Sequence, residues 1–318
     1  MESTAAEKRQ ALRKMLGEPT CHIAPSCNDG IQARLVEWLG FPLVHISGSG
    51  QHRSLGFADA GLLTLTEMVN KARDIVDAVN IPIVSDAETG YGNAVNVYHT
   101  VQQYIHAGAA GLHIEDQEAP KKSGTFAGRR CISVEEAIGK YKAAVAAKNE
   151  LDPDFVIVAR CDSIGSEHGS FESAMERSVA YVEEAGVDAV WVNTMRSREE
   201  IKEACKKIPA PVIAPYYGPP PSPTLEEFKK LGAAAVLFPS LTTAHGLQAT
   251  WELMHEFKER GPAALEEWNA RAQKSKWGVV PRAQEPLLDT NKIRKLEEQF
   301  IPESLQRDYD KTFGHKKH

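Results

Sequence analysis

Two stretches decide the reading of this chain: Val84-Ser85-Asp86-Ala87-Glu88-Thr89-Gly90-Tyr91-Gly92 and Gly111-Leu112-His113-Ile114-Glu115-Asp116. Each starts as a short apolar run and ends in acids. The intervening residues, 94–107, carry a helical pattern. Strand, helix and strand in that order form a unit whose two strands lie parallel. The acid-bearing ends of both strands then point to the same side of the sheet.

Outward from these stretches the same alternation fills the chain. Strands are expected at 21–25, 43–47, 82–86, 111–116, 155–160, 189–193, 211–215 and 234–239. Helical patterns fall at 30–39, 66–79, 94–107, 134–148, 171–185, 198–207, 225–230 and 243–257. Gly40, Gly108, Gly186 and Gly232 stand where a left-handed helix cap is needed before the next strand. Short sequential connections place each strand beside its neighbour, which favours closure over an open sheet. The expected architecture is an α/β (β/α)8 barrel over 1–260, with an N-terminal helix and a C-terminal helical extension over 261–318. The extension carries a break at Pro302, and its Trp268, Trp277, Leu287, Leu288 and Phe300 need a covering surface, so it is expected to make oligomer contacts. The loop 117–130, rich in Gly and Lys and unusually long, is expected to be an active-site lid.

Composition narrows the function classes. Of 318 residues, 42% are hydrophobic and 25% charged, ordinary values for a globular chain. A net charge of −6 with interspersed signs gives no basic face for nucleic acid. No apolar run approaches the roughly 20 residues that a membrane span needs, and residues 1–17 are too polar for a secretory signal. Cys21, Cys27, Cys131, Cys161 and Cys205 form neither a CxxC pair nor a disulfide framework. A cytoplasmic setting is expected, with an organelle left open.

In a barrel of this kind chemistry sits at the C-terminal strand ends. Asp86, Glu88, Glu115 and Asp116 all fall there, and strand alternation turns Asp86 and Glu88 to one side if the third strand continues that far. Converging carboxylates repel unless a cation joins them. Hard oxygen ligands without a His/Cys cluster suit Mg²⁺ or Mn²⁺ better than zinc. The plain alternative is that some of these acids only cap helices. Ser47-Gly48-Ser49-Gly50 ends the second strand and can turn backbone N–H groups towards an oxyanion. Arg160 ends the fifth, where a guanidinium can grip a carboxylate with two hydrogen bonds or simply pair with a neighbouring acid. His45 and His113 read as core histidines, and His168 in a Gly-rich loop is left open.

Pro25, Asp29-x-x-x-Ala33-Arg34, Ser47-Gly48-Ser49-Gly50, Asp86-Ala87-Glu88-Thr89-Gly90-Tyr91-Gly92-Asn93, Ile114-Glu115-Asp116 and Ala159-Arg160 occur in this order. Together they resemble the isocitrate lyase/phosphoenolpyruvate mutase superfamily. The resemblance implies a Mg²⁺ site, with Mn²⁺ as a possible substitute, built on Asp86 with Glu88, Asp59 and Glu115. It implies a small carboxylate substrate held by Ser47, Gly48, Ser49, Asp86, Arg160 and Asn193. Ser123 and Lys122 of the lid, with Arg160 and Glu115, form the expected catalytic set. A homo-oligomer built as a dimer of dimers is implied as well.

The resemblance is not complete. Lyases of this superfamily that cleave methylisocitrate- or dimethylmalate-like acids carry a Cys general acid or base in the lid, where this chain reads Lys121-Lys122-Ser123-Gly124-Thr125. A thiol titrates near pH 8.5, and a serine hydroxyl is a far weaker acid. Asn193 stands where those lyases tend to have Glu, and Tyr216-Tyr217-Gly218-Pro219-Pro220-Pro221 follows the seventh strand. Pro239 aligns with a position where oxaloacetate hydrolases of the superfamily place Ser and its lyases Pro, which disfavours the hydrolase, with Ser240 one residue away. The expected function is a Mg²⁺-dependent carbon–carbon lyase acting on a small 2-hydroxy- or 2-oxo-carboxylate through an enolate. The alternatives are an oxaloacetate hydrolase or decarboxylase, P–C chemistry on phosphoenolpyruvate or phosphonopyruvate, and a catalytically impaired barrel that only binds.

Overall fold

The computed structural model describes residues 3–216, 221–279 and 287–307. Its eight strands are β1 (His22–Cys27), β2 (Val44–Ile46), β3 (Ile83–Asp86), β4 (Gly111–Glu115), β5 (Val156–Cys161), β6 (Ala189–Val192), β7 (Val212–Pro215) and β8 (Ala235–Phe238). They close in sequence order into one parallel barrel, with β1 pairing β8. All eight expected strands are present, so the (β/α)8 reading holds. Helix α1 (Ala5–Gly17) precedes the barrel. Then follow α2 (Gly30–Trp38), α3 (Gly48–Ser54), α4 (Leu65–Val76), α5 (Ala94–His106), α6 (Val134–Leu151), α7 (Phe171–Ala185), α8 (Arg198–Lys207), α9 (Leu225–Leu231) and α10 (Leu241–Arg260).

Helix starts are written in the sequence. Asp29, Ser47, Thr64, Asn93, Ser133, Ser170, Ser197 and Thr224 each accept a first-turn N–H with their side chain. Gly40, Gly108, Gly186 and Gly232 take the left-handed conformation expected of them, at φ +83°, +83°, +75° and +94°. One helix was not expected. Gly-Ser-Gly-Gln-His-Arg-Ser has poor helix propensity, yet residues 48–54 form α3, capped by Ser47 and buried at Gly48, Gly50, Gln51 and His52. Tertiary packing outweighs propensity here.

The strand pleat, with its period of two, sorts the core. Leu43, Val84, Val156, Val158, Ala189, Trp191 and Leu237 fill the interior together with Leu12 of α1, whereas Ile46, Ile83, Leu112, Ile157 and Val190 pack outward under the helices. Continuing each inward column by two residues leads from Leu43 to His45 and Ser47, from Val84 to Asp86, from Val158 to Arg160 and Asp162, and from Ala189 to Trp191 and Asn193. The upper mouth is therefore polar because those positions are polar.

The contacts divide the chain within α10 into Met1–Glu252 and Leu253–His318, whereas the sequence reading set the boundary at 260. In the second unit, α11 (Pro262–Gln273) and α12 (Thr290–Phe300) are followed by a 3-10 turn (Glu303–Leu305) just after Pro302. Leu287 is buried there, whereas Trp277 is 85% and Phe300 69% exposed. No described helix is long and apolar enough to cross a membrane.

Candidate active site

Asp86 ends β3, and its carboxylate is pinned from two sides. The Gly48 N–H donates to Oδ2 at 3.1 Å and the Glu88 N–H to Oδ1 at 2.8 Å. Strand β3 does not continue to Glu88. Instead Glu88 adopts φ +51°, and this left-handed turn brings its side chain back to the mouth that pleat alternation was expected to reach. Asp59, from the loop after α3, and Glu115, from the end of β4, complete a buried set of carboxylates.

The cation inside this set is Lys121. Its Nζ lies 2.5 Å from Asp59 Oδ1, 3.2 Å from Glu88 Oε2 and 3.9 Å from Glu115 Oε1. Burial alone would depress its pKa, but Glu115, Glu88, Asp86 and Asp59 hold it well above the usual lysine value. Lys122, the lysine singled out from sequence, is placed elsewhere. Gln117 clamps its backbone, donating to Lys122 O at 3.1 Å and accepting its N–H at 3.0 Å, and its side chain lines a separate cleft beside Arg130 and Glu167. A run of two lysines does not reveal which one turns inward; that depends on the Gln117 clamp, which is tertiary.

Arg160 closes the other side of the cluster. It pairs with Glu115 at 3.0 Å and Asp162 at 2.8 Å, approaches Asp86 at 3.9 Å, and lies over the Trp191 ring at 4.6 Å. Beneath it His45 and His113 share a hydrogen bond, Nε2 to Nε2, at 2.9 Å. Burial pushes them down to about 3 and about 4, so both rings are neutral. They are core histidines as expected, although His45 also floors the cavity. His168 is exposed and does not line it.

A cavity of about 500 Å³ opens above this floor. Ser47, Ser49, Asp59, Asp86, Lys121, Ser123, Arg160, Trp191 and Asn193 line its polar side, and Tyr216, Phe238 and Leu241 its apolar side. Glu88 and Glu115 do not line it and stand behind Asp86 and Lys121. The 47–50 segment is not the free N–H nest expected. Gly48 donates to Asp86 and Gly50 to Ser47 Oγ, so two of its N–H groups already have acceptors inside the protein. Asp29 caps α2 and Arg34 donates to Ala78 O, so that motif serves the scaffold. Cys161 is fully buried, as expected of a packing thiol. Residues 217–220 of the segment after β7 lie outside the described residues.

The donor set suits a divalent cation. Glu88 Oε1 and Glu115 Oε1 are buried without a hydrogen-bond partner, a state carboxylates avoid unless something else satisfies them. Burial pushes Glu88 up to about 7 against the pull of Lys121, with Asp86 and Asp59 adding to the rise; Glu115 is also pushed well up by burial. Burial opposes ionisation of Asp86 too, but His113, Lys121 and Arg160 hold it below the usual carboxylate range. A metal would relieve the raised pair. His52, Asp59 and Glu88 lie close enough to be considered together as ligands. The His52 ring argues against its own part in that set. Its Nε2 accepts the N–H groups of Leu62 (3.1 Å) and Leu63 (3.3 Å), which obliges Nδ1 to carry the proton and donate to Gly48 O at 2.8 Å. His52 therefore ties the loop carrying Asp59 to the start of α3, a role the sequence reading missed.

The family described as phosphoenolpyruvate phosphomutase matches residues 12–258. A 2,3-dimethylmalate lyase of Eubacterium barkeri is 38% identical over 261 residues, covering 80% of this chain and 86% of that protein. Among solved structures, a phosphonopyruvate hydrolase in complex with oxalate and Mg²⁺ superposes with a TM-score of 0.80 at 28% identity, covering 93% of this chain and 99% of that one. An oxaloacetate acetylhydrolase bound to 3,3-difluorooxalacetate superposes at 0.77 with 31% identity, covering 82% and 89%.

Proposed function

Since the chain belongs to the phosphoenolpyruvate mutase/isocitrate lyase superfamily, we propose that it is a Mg²⁺-dependent carbon–carbon lyase acting on a small 2-hydroxy- or 2-oxo-carboxylate through an enolate. One observation carries this reading: Glu115, buried with an orphaned oxygen, pairs with Arg160 just behind the wall of a cavity that Arg160 and Asp86 line. Asp86 and Asp59 would hold the cation, with Glu88 and Glu115 behind them. The bound cation would stabilise negative charge on the enolate oxygen. Arg160 grips a substrate carboxylate, and its stacking on Trp191 fixes the plane in which it does so. Ser47 and Ser49 offer hydroxyl donors beside Asp86. Lys121 supplies a fixed positive charge in a dry site, where such a charge acts strongly. The 117–130 loop covers the cavity with Ser123, Gly124 and Thr125 and keeps water from the enolate.

A second reading, oxaloacetate hydrolysis or decarboxylation, is favoured by two serines at the cavity, Ser123 and Ser240. Ser123 stands where a lyase thiol would be, and its hydroxyl faces Thr125 Oγ1 at 3.3 Å. Ser240 lines the cavity next to Pro239. The test is a substrate panel with Mg²⁺, following pyruvate, glyoxylate, oxalate and phosphate. Pyruvate or glyoxylate from a branched 2-hydroxy diacid supports the lyase, oxalate from oxaloacetate supports the hydrolase, and phosphate from a phosphonate overturns both.

We further place the enzyme in the cytoplasm as a tetramer built from dimers. The free cysteines and the exposed Trp277, Ile293 and Phe300 support this. Sedimentation showing a monomer at micromolar concentration would refute the assembly.

A further inference from the structure

Asp162 ends the inward column of β5 and is fully buried, yet it does not line the cavity. Its carboxylate accepts from three side chains on three elements. Oδ1 takes Asn193 Nδ2 at 2.6 Å, Arg129 Nη1 at 3.1 Å and Arg160 Nη2 at 3.2 Å, while Oδ2 meets Arg160 Nε at 2.8 Å. Its backbone is fixed from behind. The Asp162 N–H donates to Asp116 Oδ1 at 2.8 Å, and Asp116 Oδ2 in turn receives Arg177 Nε and Tyr181 OH. The carboxylate is thus a rigid plate rather than a swinging counter-ion.

Two of its partners, Arg160 and Asn193, line the cavity; the third, Arg129, belongs to the 117–130 loop. That loop touches the same plate a second time. A Cβ on Gly124 would stand 2.5 Å from Asn193 Nδ2 and 2.8 Å from Arg160 Nη2, so the loop backbone lies directly over the two groups that Asp162 holds. Donation of Asn193 Nδ2 to Asp162 also turns the amide oxygen away from that carboxylate, which fixes which end of the amide the substrate meets. We propose that Asp162 is a positioning residue that ties closure of the 117–130 loop to the orientation of Arg160 and Asn193. The proposal rests on the reading of Arg160 as the carboxylate-binding residue.

The experiment measures oxalate binding in the presence of Mg²⁺ by calorimetry, with limited proteolysis of the loop with and without oxalate. Arg129→Lys keeps the charge, lies outside the cavity and loses the planar fork that reaches Asp162. It should weaken oxalate binding several-fold and reduce oxalate-dependent protection of the loop. Asp162→Asn should weaken binding by about tenfold or more, since hydrogen bonds to charged groups are lost. The double variant should lose less than the product of the two single losses, because the Arg129–Asp162 contact is removed in both, even though Arg129 also donates to Ile164 O and Thr194 Oγ1. Arg130→Ala, which removes an exposed ion pair with Glu167, should change neither readout. If Asp162→Asn does not fold because Arg129 loses its ion pair with Asp162, Arg129→Lys still decides. Unchanged binding and protection in Arg129→Lys, or losses that multiply in the double variant, would overturn the coupling while leaving the carboxylate reading intact. A wild-type protein that ignores oxalate would sink that reading and the proposal with it.

Discussion

Gly48→Ala is the sharpest probe of the carboxylate cluster because the structure supplies its magnitude. A Cβ at Gly48 would lie 2.4 Å from Glu88 Oε1 and 2.7 Å from Asp86 Oδ2. Ordinary contact begins at 3.4 Å, so the carboxylates must retreat by about 1 Å. Neither can swing freely: Asp86 is held by two backbone N–H groups and Glu88 by Lys121. Overpacking of this kind costs about 1–3 kcal/mol. Alanine in a helix offsets up to about 1 kcal/mol of that, so the melting temperature should fall by only a few degrees. The chemistry should suffer far more, since a misplacement of about 1 Å at reacting groups can cost about 10²-fold in rate. The assay pairs Mg²⁺ calorimetry and thermal melts with kcat/KM on the acid that the wild type turns over. Gly139→Ala in α6, where a Cβ meets nothing within 4 Å, is the matched control and should keep full activity. If Gly48→Ala keeps Mg²⁺ affinity and kcat/KM within twofold of wild type, the cluster is not the reaction centre.

Asp86→Ala should abolish Mg²⁺ binding and lower kcat by about 10²–10³-fold, the equivalent of several kcal/mol of charge stabilisation, while circular dichroism stays unchanged; retained metal binding would count against the assignment. Ser123→Cys should raise cleavage of a dimethylmalate-type acid by about 10²-fold or more if a thiol general acid is all that is missing, whereas activity on oxaloacetate that survives Ser123→Ala would point to the second reading. Stability should decline as pH falls from about 6.5 towards 4, because His45 (about 3) and His113 (about 4) stay neutral in the fold while the unfolded chain takes up protons at ordinary histidine values. Urea midpoints against pH should flatten in His45→Gln by about one proton, and an unchanged slope would refute the attribution.

Strand count, strand order and several helix ends were legible because they rest on local rules: apolar runs of strand length, and glycines after helices. The acids at the strand ends were legible for the same reason, since β3 and β4 set their height in the barrel. Glu88 was placed at the right mouth for the wrong cause, because a left-handed turn rather than the pleat delivers it. Helix α3 was missed because its seven residues are poor helix formers that only packing can order. Lys121 was passed over for Lys122 because the choice between adjacent residues on a loop is made by Gln117, whose role appears only once the chain is folded. Asp162 was visible as Arg160-Cys161-Asp162, and the period of two that turned Arg160 inward was the signal that could have found it.

Helix α1 has a consequence for what counts as the smallest working unit of this enzyme. Lys8 donates to the carbonyls of Val76 and Val79, Arg9 to those of Ile105 and Ala109, and Arg13 to Pro153, Asp154 and Phe155, while Leu12 is buried in the interior core. Seven carbonyls below the barrel are thus answered by one helix that contributes nothing to the mouth. A shortened gene that starts at β1 would encode every strand and every proposed active-site residue, yet it would leave those carbonyls and the lower core open to water. Adaptation of the substrate cavity and adaptation to heat can therefore proceed on separate sets of positions, the first at the strand ends and the second along a helix at the far side of the barrel.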